Sequence, residues 1–115
     1  MTSDVVALLL TAPDEETGRR IARALVEERL AACVNRLAGM HSTYRWKGEV
    51  CREPEHMLLI KTTGGRLEAV KQRVLALHPY ELPELIVVET ASGHAAYLDW
   101  VVASCATASG ASAAP

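Results

Sequence analysis

The feature that most constrains the fold is a pair of apolar runs of strand length, each followed directly by a helical pattern. DVVALLLT, residues 4–11, and EHMLLIKTT, residues 55–63, are dominated by aliphatic side chains. A continuous apolar run is typical of a central strand covered on both faces. After the first run, Asp14 can cap a helix with an acidic first turn. After the second, the glycines at 64–65 end the strand and open another helix.

Both helical segments carry one apolar stripe, so we expect each helix to pack one face on a sheet. In the first segment the stripe is formed by Ile21, Ala22, Leu25, Val26 and Leu30. In the second it is formed by Leu67, Val70, Val74 and Leu77. Pro79 disfavours helical geometry in the residue before it, so the second helix should stop at His78.

The remaining segments complete a recognisable order of elements. AACVNRL, residues 31–37, has strand character, and STYRWKGEVC, residues 42–51, alternates polar with β-branched or aromatic residues around a Lys47-Gly48 turn. PELIVVET, residues 83–90, predicts a fourth major strand, and AAYLDWVVASC, residues 95–105, a short closing helix. With right-handed crossovers this order predicts an α+β fold, a ferredoxin-like βαββαβ sandwich with a long extended hairpin and a short C-terminal helix.

The length of the middle hairpin predicts self-association. Residues 40–60 provide more strand than a lone four-stranded sheet needs, and an exposed edge of that kind invites pairing with another chain. We therefore expect a homo-oligomer. Residues 1–105 should form a single domain. Residues 106–115, ATASGASAAP, are small and uncharged, and predict a disordered low-complexity tail.

Composition and motifs exclude several classes of function. Twelve basic against fourteen acidic residues, with no basic block, predict no nucleic-acid partner. The N-terminal apolar run is too short to span a bilayer, so no membrane partner is expected. Cys33, Cys51 and Cys105 fit neither a disulfide framework nor a zinc pattern, and free thiols predict a cytoplasmic location. No hydrolase, zinc-protease or phosphate-loop motif occurs, so the protein is not predicted to be an enzyme.

Five motifs together resemble one family. They are TAPD after the first strand, AACVN after the first helix, STYRWKGEV in the hairpin, LLIKTT in the third strand and HPYELPE before the last. In order and spacing they resemble the CutA divalent-cation tolerance family from about residue 4 to residue 103. The resemblance implies a ferredoxin-like homotrimer whose hairpins extend neighbouring sheets, related in shape to the PII signalling proteins. It also implies divalent-cation binding, with copper as the first candidate, in metal tolerance or response.

The copper site that the resemblance implies is incomplete in this chain. Copper ligation in the family is attributed to a cysteine at the end of the first strand and to two adjacent histidines before the HPY proline. Leu10 and Leu77 occupy two of these positions, so only His78 remains as a metal ligand. The pair Met40-His41 replaces what is commonly an aliphatic residue plus a hydroxyl residue, and offers soft donors for Cu(I).

The segment LHPYELPEL, residues 77–85, leaves two interpretations open for its polar side chains. His78 can ligate copper or zinc, or it can cap the carbonyls at the end of the second helix. Glu81 and Glu84 can supply oxygen donors to a divalent cation. Alternatively, Glu84 forms an ion pair with a Lys or Arg, including one from a neighbouring subunit.

Three further side chains are assigned to the same expected cleft. Tyr44 and Trp46 lie two residues apart on one strand face, where they line an intersubunit cleft or fill an interface. Lys61 interrupts an apolar strand, so its ammonium needs a partner, either a structural carboxylate or a bound anion. An alternative function is therefore a PII-like regulatory trimer that binds a small anionic metabolite through Lys61 and main-chain amides. A stable trimeric scaffold is the third possibility.

Overall fold

A computed structural model of the chain describes residues 4–106. Apart from Ala106, the tail predicted from the sequence lies outside the described residues. The elements in chain order are β1 (Val5–Ala12), α1 (Glu15–Glu27), β2 (Cys33–Trp46), β3 (Glu49–Thr63), a 3-10 turn (Gly64–Arg66), α2 (Leu67–Leu77), β4 (Ile86–Glu89) and α3 (Ala95–Ser104). This order confirms the predicted βαββαβ pattern with a closing helix. Within residues 4–106, no helix is long and apolar enough to cross a membrane.

The four strands form one antiparallel sheet in the order β2-β3-β1-β4. Helices α1 and α2 cover one face, because their apolar stripes meet alternate side chains of β1 and β3. The fully buried centre of this core consists of Leu8, Leu10, Leu58, Ile60, Ile21, Leu25, Val70 and Val74. Burying an aliphatic side chain of this size stabilises the fold by about 1.5–3 kcal/mol.

The opposite face of the sheet is covered at one end only. There α3 packs across β1 and β3, and Val101 and Cys105 join Val5 and Ala32 in a second buried cluster. The rest of this face, which we call the open sheet face, carries Asn35 and Lys61 among apolar side chains, namely Leu9, Leu37, Met57, Leu59, Ile86 and Val88. Leu37 is 52% exposed and Ile86 is 51% exposed. On β1 itself Leu9 is half-buried and Thr11 is buried on this side, so the most exposed part of the face belongs to β2 and β4.

The predicted start of α1 and end of α2 agree with the structure, whereas α1 ends at Glu27, before Leu30 of the predicted stripe. Asp14 caps α1 by accepting a hydrogen bond from the backbone N–H of Thr17 at 2.8 Å. That backbone bond is the main reason that the pKa of Asp14 lies below its ordinary value. Helix α2 ends at Leu77, and His78 adopts extended geometry (φ −80°, ψ 134°) before Pro79.

The β2–β3 hairpin is longer and more continuous than the sequence indicated. Its 14- and 15-residue strands are joined by a two-residue turn in which Lys47 and Gly48 both have positive φ, of 50° and 83°. This is the twist that a tight hairpin requires. Conversely, β4 has four residues where eight were predicted, since Pro83 lies before it and cannot donate to a ladder.

A β-bulge divides the hairpin into two parts. Leu37 pairs with Met57 and Met40 pairs with Glu55, so two residues of β2 lie opposite His56 alone. Gly39, with φ of 79°, supplies the left-handed backbone at this point. Residues 40–55 pair only with each other, and we call them the hairpin arm. Because the arm projects, the Cα radius of gyration is 15.2 Å, against about 13 Å for a compact 100-residue domain.

Candidate cleft between the hairpin arm and the 78–85 loop

An open cleft of about 710 Å³ lies between the hairpin arm and the loop that connects α2 to β4. Its walls are residues 42–46 of the arm, Thr11 and Glu55 of the sheet, and residues 79–82 and 84 of the loop. Small-molecule sites in proteins typically measure roughly 300–1,000 Å³. The cleft is therefore large enough for an organic ligand as well as for an ion.

His78 anchors the loop to the sheet. Its Nε2 lies 2.7 Å from the carbonyl oxygen of Thr11, and its Nδ1 accepts a hydrogen bond from the backbone N–H of Tyr80 at 3.1 Å. Because Nδ1 accepts, the ring carries its proton on Nε2 and donates it to Thr11. The imidazole is only 8% exposed and lies against the ring of Tyr80, with 4.7 Å between ring centroids. Both ring nitrogens are thus engaged in holding the loop.

Glu55 is a buried carboxylate that forms no salt bridge with any basic side chain of residues 4–106. It is 7% exposed, and its Oε2 accepts a hydrogen bond from the hydroxyl of Tyr80 at 2.8 Å. The salt bridges among residues 4–106 join other side chains, Arg19 to Glu15, Arg23 to Glu27 and Arg73 to Glu28. Burying a charge is costly unless an opposite charge or several hydrogen bonds compensate it. Among residues 4–106, the Glu55 carboxylate therefore lacks a positive charge that would compensate for its burial.

Glu84 adds a second carboxylate to the same space. It is half-buried, and this burial raises its pKa, with the negative charge of Glu55 as the second cause. Burial likewise raises the pKa of Tyr80, and the hydrogen bond to Glu55 and its charge raise it further. Glu81 lies exposed at the rim. The cleft thus holds three carboxylates, and Arg45 is the one basic side chain among its described lining residues.

The arm contributes an aromatic wall. Tyr44 and Trp46 pair with Cys51 and Glu49, and therefore share the face of the hairpin that carries Glu55. Their side chains are 41% and 37% exposed. Burial is the main cause that raises the pKa of Tyr44. The structure thus places both aromatic residues on one face beside the cleft, as their spacing predicted.

Lys61 lies outside the cleft. It pairs with Ala7 and Cys33 on the open sheet face. Its ammonium donates to the side-chain oxygen of Asn35 and lies 3.9 Å from the Cys33 sulfur. It lies six positions from Glu55 along β3, which corresponds to about 20 Å in a strand. Of the side chains that the sequence analysis assigned to the cleft, four line it: Tyr44, Trp46, Glu81 and Glu84. Lys61 and His78 are not among the lining residues.

The described residues offer a metal ion few nitrogen or sulfur ligands. Within residues 4–106, no three His, Cys, Asp or Glu side chains are grouped so that they could hold a metal. Leu10 and Leu77 pack in or against the helix-side core, and cannot ligate. Met40 is half-buried and His41 exposed, and as consecutive strand residues they point to opposite faces. The oxygens of Glu55 and Glu84 fit a hard divalent cation that keeps several water ligands, and fit Cu(I) poorly.

Two site residues were missed by the sequence analysis, Glu55 and Tyr80. Their sequence signal was a carboxylate at the first position of the apolar run EHMLLIKTT, and an aromatic directly after His78-Pro79. Neither position suggests burial by itself. Only the folding of the loop over β1 brings the Tyr80 hydroxyl to Glu55.

Comparison with known proteins agrees with this fold. A family model described as CutA1 divalent ion tolerance protein matches residues 6–104. The Divalent-cation tolerance protein CutA of Thermus thermophilus is 53% identical over 94 residues, which cover 82% of this chain and 91% of that protein. Human Protein CutA is 41% identical over 97 residues, 84% of this chain and 54% of that longer protein.

Solved structures extend the similarity to three dimensions. The CutA1 structure from Thermus thermophilus superposes with a TM-score of 0.84 at 51% identity, covering 85% of this chain and 95% of that one. The PII-like protein CutA from a Nostoc species superposes with a TM-score of 0.82 at 45% identity, covering 87% and 96%. These matches confirm both the resemblance and the α+β fold class. The chain therefore belongs to the CutA1 divalent ion tolerance family.

Proposed function

We propose that this chain is a homotrimeric divalent-cation-binding protein of metal tolerance or response, whose cation site is the cleft. The observation that supports it is the carboxylate pair: Glu55 is buried and forms no salt bridge within residues 4–106, and Glu84 adds charge beside it. A divalent cation between the two would compensate both charges. The proposed role is one of binding, since the side chains that the cleft brings together are mainly carboxylates and aromatic rings.

Copper(II) is the first candidate ion and the best first probe. Among divalent first-row metals, copper forms the tightest complexes with a given set of donors. Two carboxylates with water as the remaining ligands also suit Mg²⁺ or Mn²⁺. A role for His78 as ligand requires that one of its two hydrogen bonds, to Thr11 or from Tyr80, be given up.

Calorimetric titration of copper(II) and manganese(II) into the metal-stripped protein tests the site. We expect saturable binding near one ion per chain, lost or weakened at least about tenfold in Glu84→Gln. Glu68→Gln is the control, since it removes an exposed carboxylate of α2 that does not line the cleft and that accepts a hydrogen bond from Gln72. It should bind as the wild type does.

A third variant, His78→Ala, distinguishes whether the carboxylates or the imidazole coordinate the ion. If folded His78→Ala protein still binds one ion per chain while Glu84→Gln does not, the carboxylate pair holds the ion. Loss in His78→Ala alone, with Glu84→Gln unaffected, would assign the ion to the imidazole. Absent binding, or binding that is indifferent to both substitutions, would overturn a cation site in this part of the molecule.

The trimer is supported by two surfaces that a single chain leaves incomplete. The open sheet face is largely apolar and includes the exposed side chains of Leu37, Ile86 and Val88. The hairpin arm has no neighbouring strand beyond its own partner. Exposed apolar area and unpaired strand edges are typical of surfaces that bind another chain. Light scattering should give three times the mass of the chain.

A PII-like regulatory role with a small anionic ligand has weaker support. One structural neighbour is titled a PII-like protein. In this chain, however, Lys61 lies on the open sheet face, and the cleft holds three carboxylates against one guanidinium, that of Arg45. An anionic ligand would be repelled there. Phosphate binding that weakens with salt and depends on Lys61 would favour this role instead, and absence of any ligand would favour a scaffold.

The cytoplasm is the compartment that we propose for this activity. Cys33, Cys51 and Cys105 are unpaired thiols in the structure. Free thiols persist in reducing compartments. Fractionation of cells that express the tagged protein, with a cytoplasmic and an envelope marker, tests the assignment.

A further inference from the structure

The size and lining of the cleft exceed what a metal ion requires. A divalent ion would occupy the space between Glu55 and Glu84, whereas the cleft of about 710 Å³ continues along the hairpin arm. The rest of that space is lined by Tyr44, Trp46 and the loop residues Pro79 and Leu82. Together with the hydroxyls of Ser42 and Thr43, these rings and aliphatic groups are suited to the body of an organic molecule.

The negative charge of the cleft favours a positively charged molecule. Glu55, Glu81 and Glu84 face one basic lining residue, Arg45, whose Nη1 donates to the carbonyl oxygen of Gly48 at the tip of the arm, 3.5 Å away. One oxygen of Glu55 accepts from Tyr80, which leaves the other for a donor in the cleft. A buried carboxylate with a vacant acceptor is best satisfied by a positively charged donor.

The aromatic wall also favours a cation. Tryptophan and tyrosine faces attract ammonium and guanidinium groups through the ring quadrupole. The structure already shows such a contact, since the Lys47 ammonium lies 5.7 Å from the centroid of the Trp46 ring. Lys47 is in the exposed turn, so its side chain can leave that ring when a ligand arrives.

We propose that the cleft binds a small organic cation, with its amidinium, guanidinium or ammonium group between Glu55 and Glu84 and its apolar body against Tyr44 and Trp46. The inference uses the carboxylates of the proposed function but does not depend on a metal. Since both ligands use the same charges, the organic cation and the divalent ion should exclude each other.

Benzamidine is a suitable probe, because its planar amidinium can pair with a carboxylate through two hydrogen bonds while its ring stacks on an aromatic wall. Calorimetry with the metal-stripped full chain should give one site per chain with a dissociation constant below about 1 mM. Benzoate has the same shape and the opposite charge, and should not bind. Glu84→Gln should weaken benzamidine binding at least about tenfold, whereas Glu68→Gln should not change it.

A second cleft variant keeps the test decisive if one substitution impairs folding. Glu55→Gln preserves the side-chain shape and an acceptor for the Tyr80 hydroxyl, and should weaken benzamidine as Glu84→Gln does. Benzamidine that fails to saturate by 10 mM (about ten times the expected constant) would overturn the inference. So would equal binding of benzoate, or indifference to both carboxylate substitutions.

Manganese(II) titrated in parallel separates this inference from the proposed function. If manganese binds and benzamidine does not, only the organic-cation inference fails. If benzamidine binds and manganese does not, only the metal proposal fails. If both bind, each should raise the apparent dissociation constant of the other, and independent binding would overturn the shared site.

Discussion

The contacts of His78 predict that its replacement damages stability whether or not a metal is bound. In His78→Ala, the Thr11 carbonyl loses its donor and the Tyr80 N–H loses its acceptor. A buried polar group left without a partner costs about 1–3 kcal/mol. Thr11 is buried, but Tyr80 is half-buried and its N–H can find water, so we expect the free energy of unfolding to fall by about 2–4 kcal/mol.

The assay is urea unfolding of chelator-treated protein at one fixed chain concentration, because the stability of an oligomer depends on concentration. A loss of this size corresponds to a melting temperature lower by at least about 8 °C in a domain of about 100 residues. His41→Ala is the matched control, since His41 is exposed on the hairpin arm. His41→Ala should remain within about 0.5 kcal/mol of the wild type.

The His78→Gln variant sharpens the test. The glutamine amide can donate to the Thr11 carbonyl, so it should recover part of the stability that alanine loses. If His78→Ala unfolds at the same urea concentration as His41→Ala, the anchoring role of the imidazole is refuted. A copper titration of His78→Ala would then report ligation alone.

Four other predictions follow from features of the fold. Because burial and the charge of Glu55 raise the pKa of Glu84, its ionised form is disfavoured in the folded chain, so metal-free Glu84→Gln should melt above the wild type at pH 7. Thermal scans should show that difference shrinking as pH falls through the raised pKa, and vanishing below the ordinary value of 4.5. Gly48→Ala should reduce the free energy of unfolding in urea by about 1–2 kcal/mol, since φ is 83° there and no atom obstructs the new methyl. Leu10→Ala should cost about 2–5 kcal/mol in the same assay, because Leu10 is fully buried. Ile86→Glu, placing a charge on the open sheet face, should convert trimer to monomer in light scattering while circular dichroism stays unchanged.

The sequence predicted best those elements that local chemistry determines. Asp14 and Pro79 fix the start of α1 and the end of α2 through a side-chain cap and a steric clash, and both act within a few residues. The Lys47-Gly48 turn is similarly local. These signals need no knowledge of the rest of the chain.

The parts that sequence reasoning missed depend on distant contacts. Glu55 and Tyr80 meet across 25 residues, so neither is identifiable as a site residue from its neighbours. Lys61 was assigned to the cleft because an ammonium in an apolar strand requires a partner, and that partner is Asn35 on the next strand. The apolar side chains on both faces of β1 predicted that both faces are covered. On the second face, α3 covers only one end of the sheet.

The bulge at residues 38–39 has a consequence for how relatives of this chain can differ in length. Before it, odd-numbered residues of β2 share a face with the odd residues of β3; after it, even-numbered ones do. Deleting one of the two bulge residues would restore one-to-one pairing and leave Tyr44 and Trp46 opposite Cys51 and Glu49, on the face that carries Glu55. Relatives of this chain should therefore tolerate the loss of one residue at the bulge, because that loss straightens the hairpin without changing which side chains face the cleft.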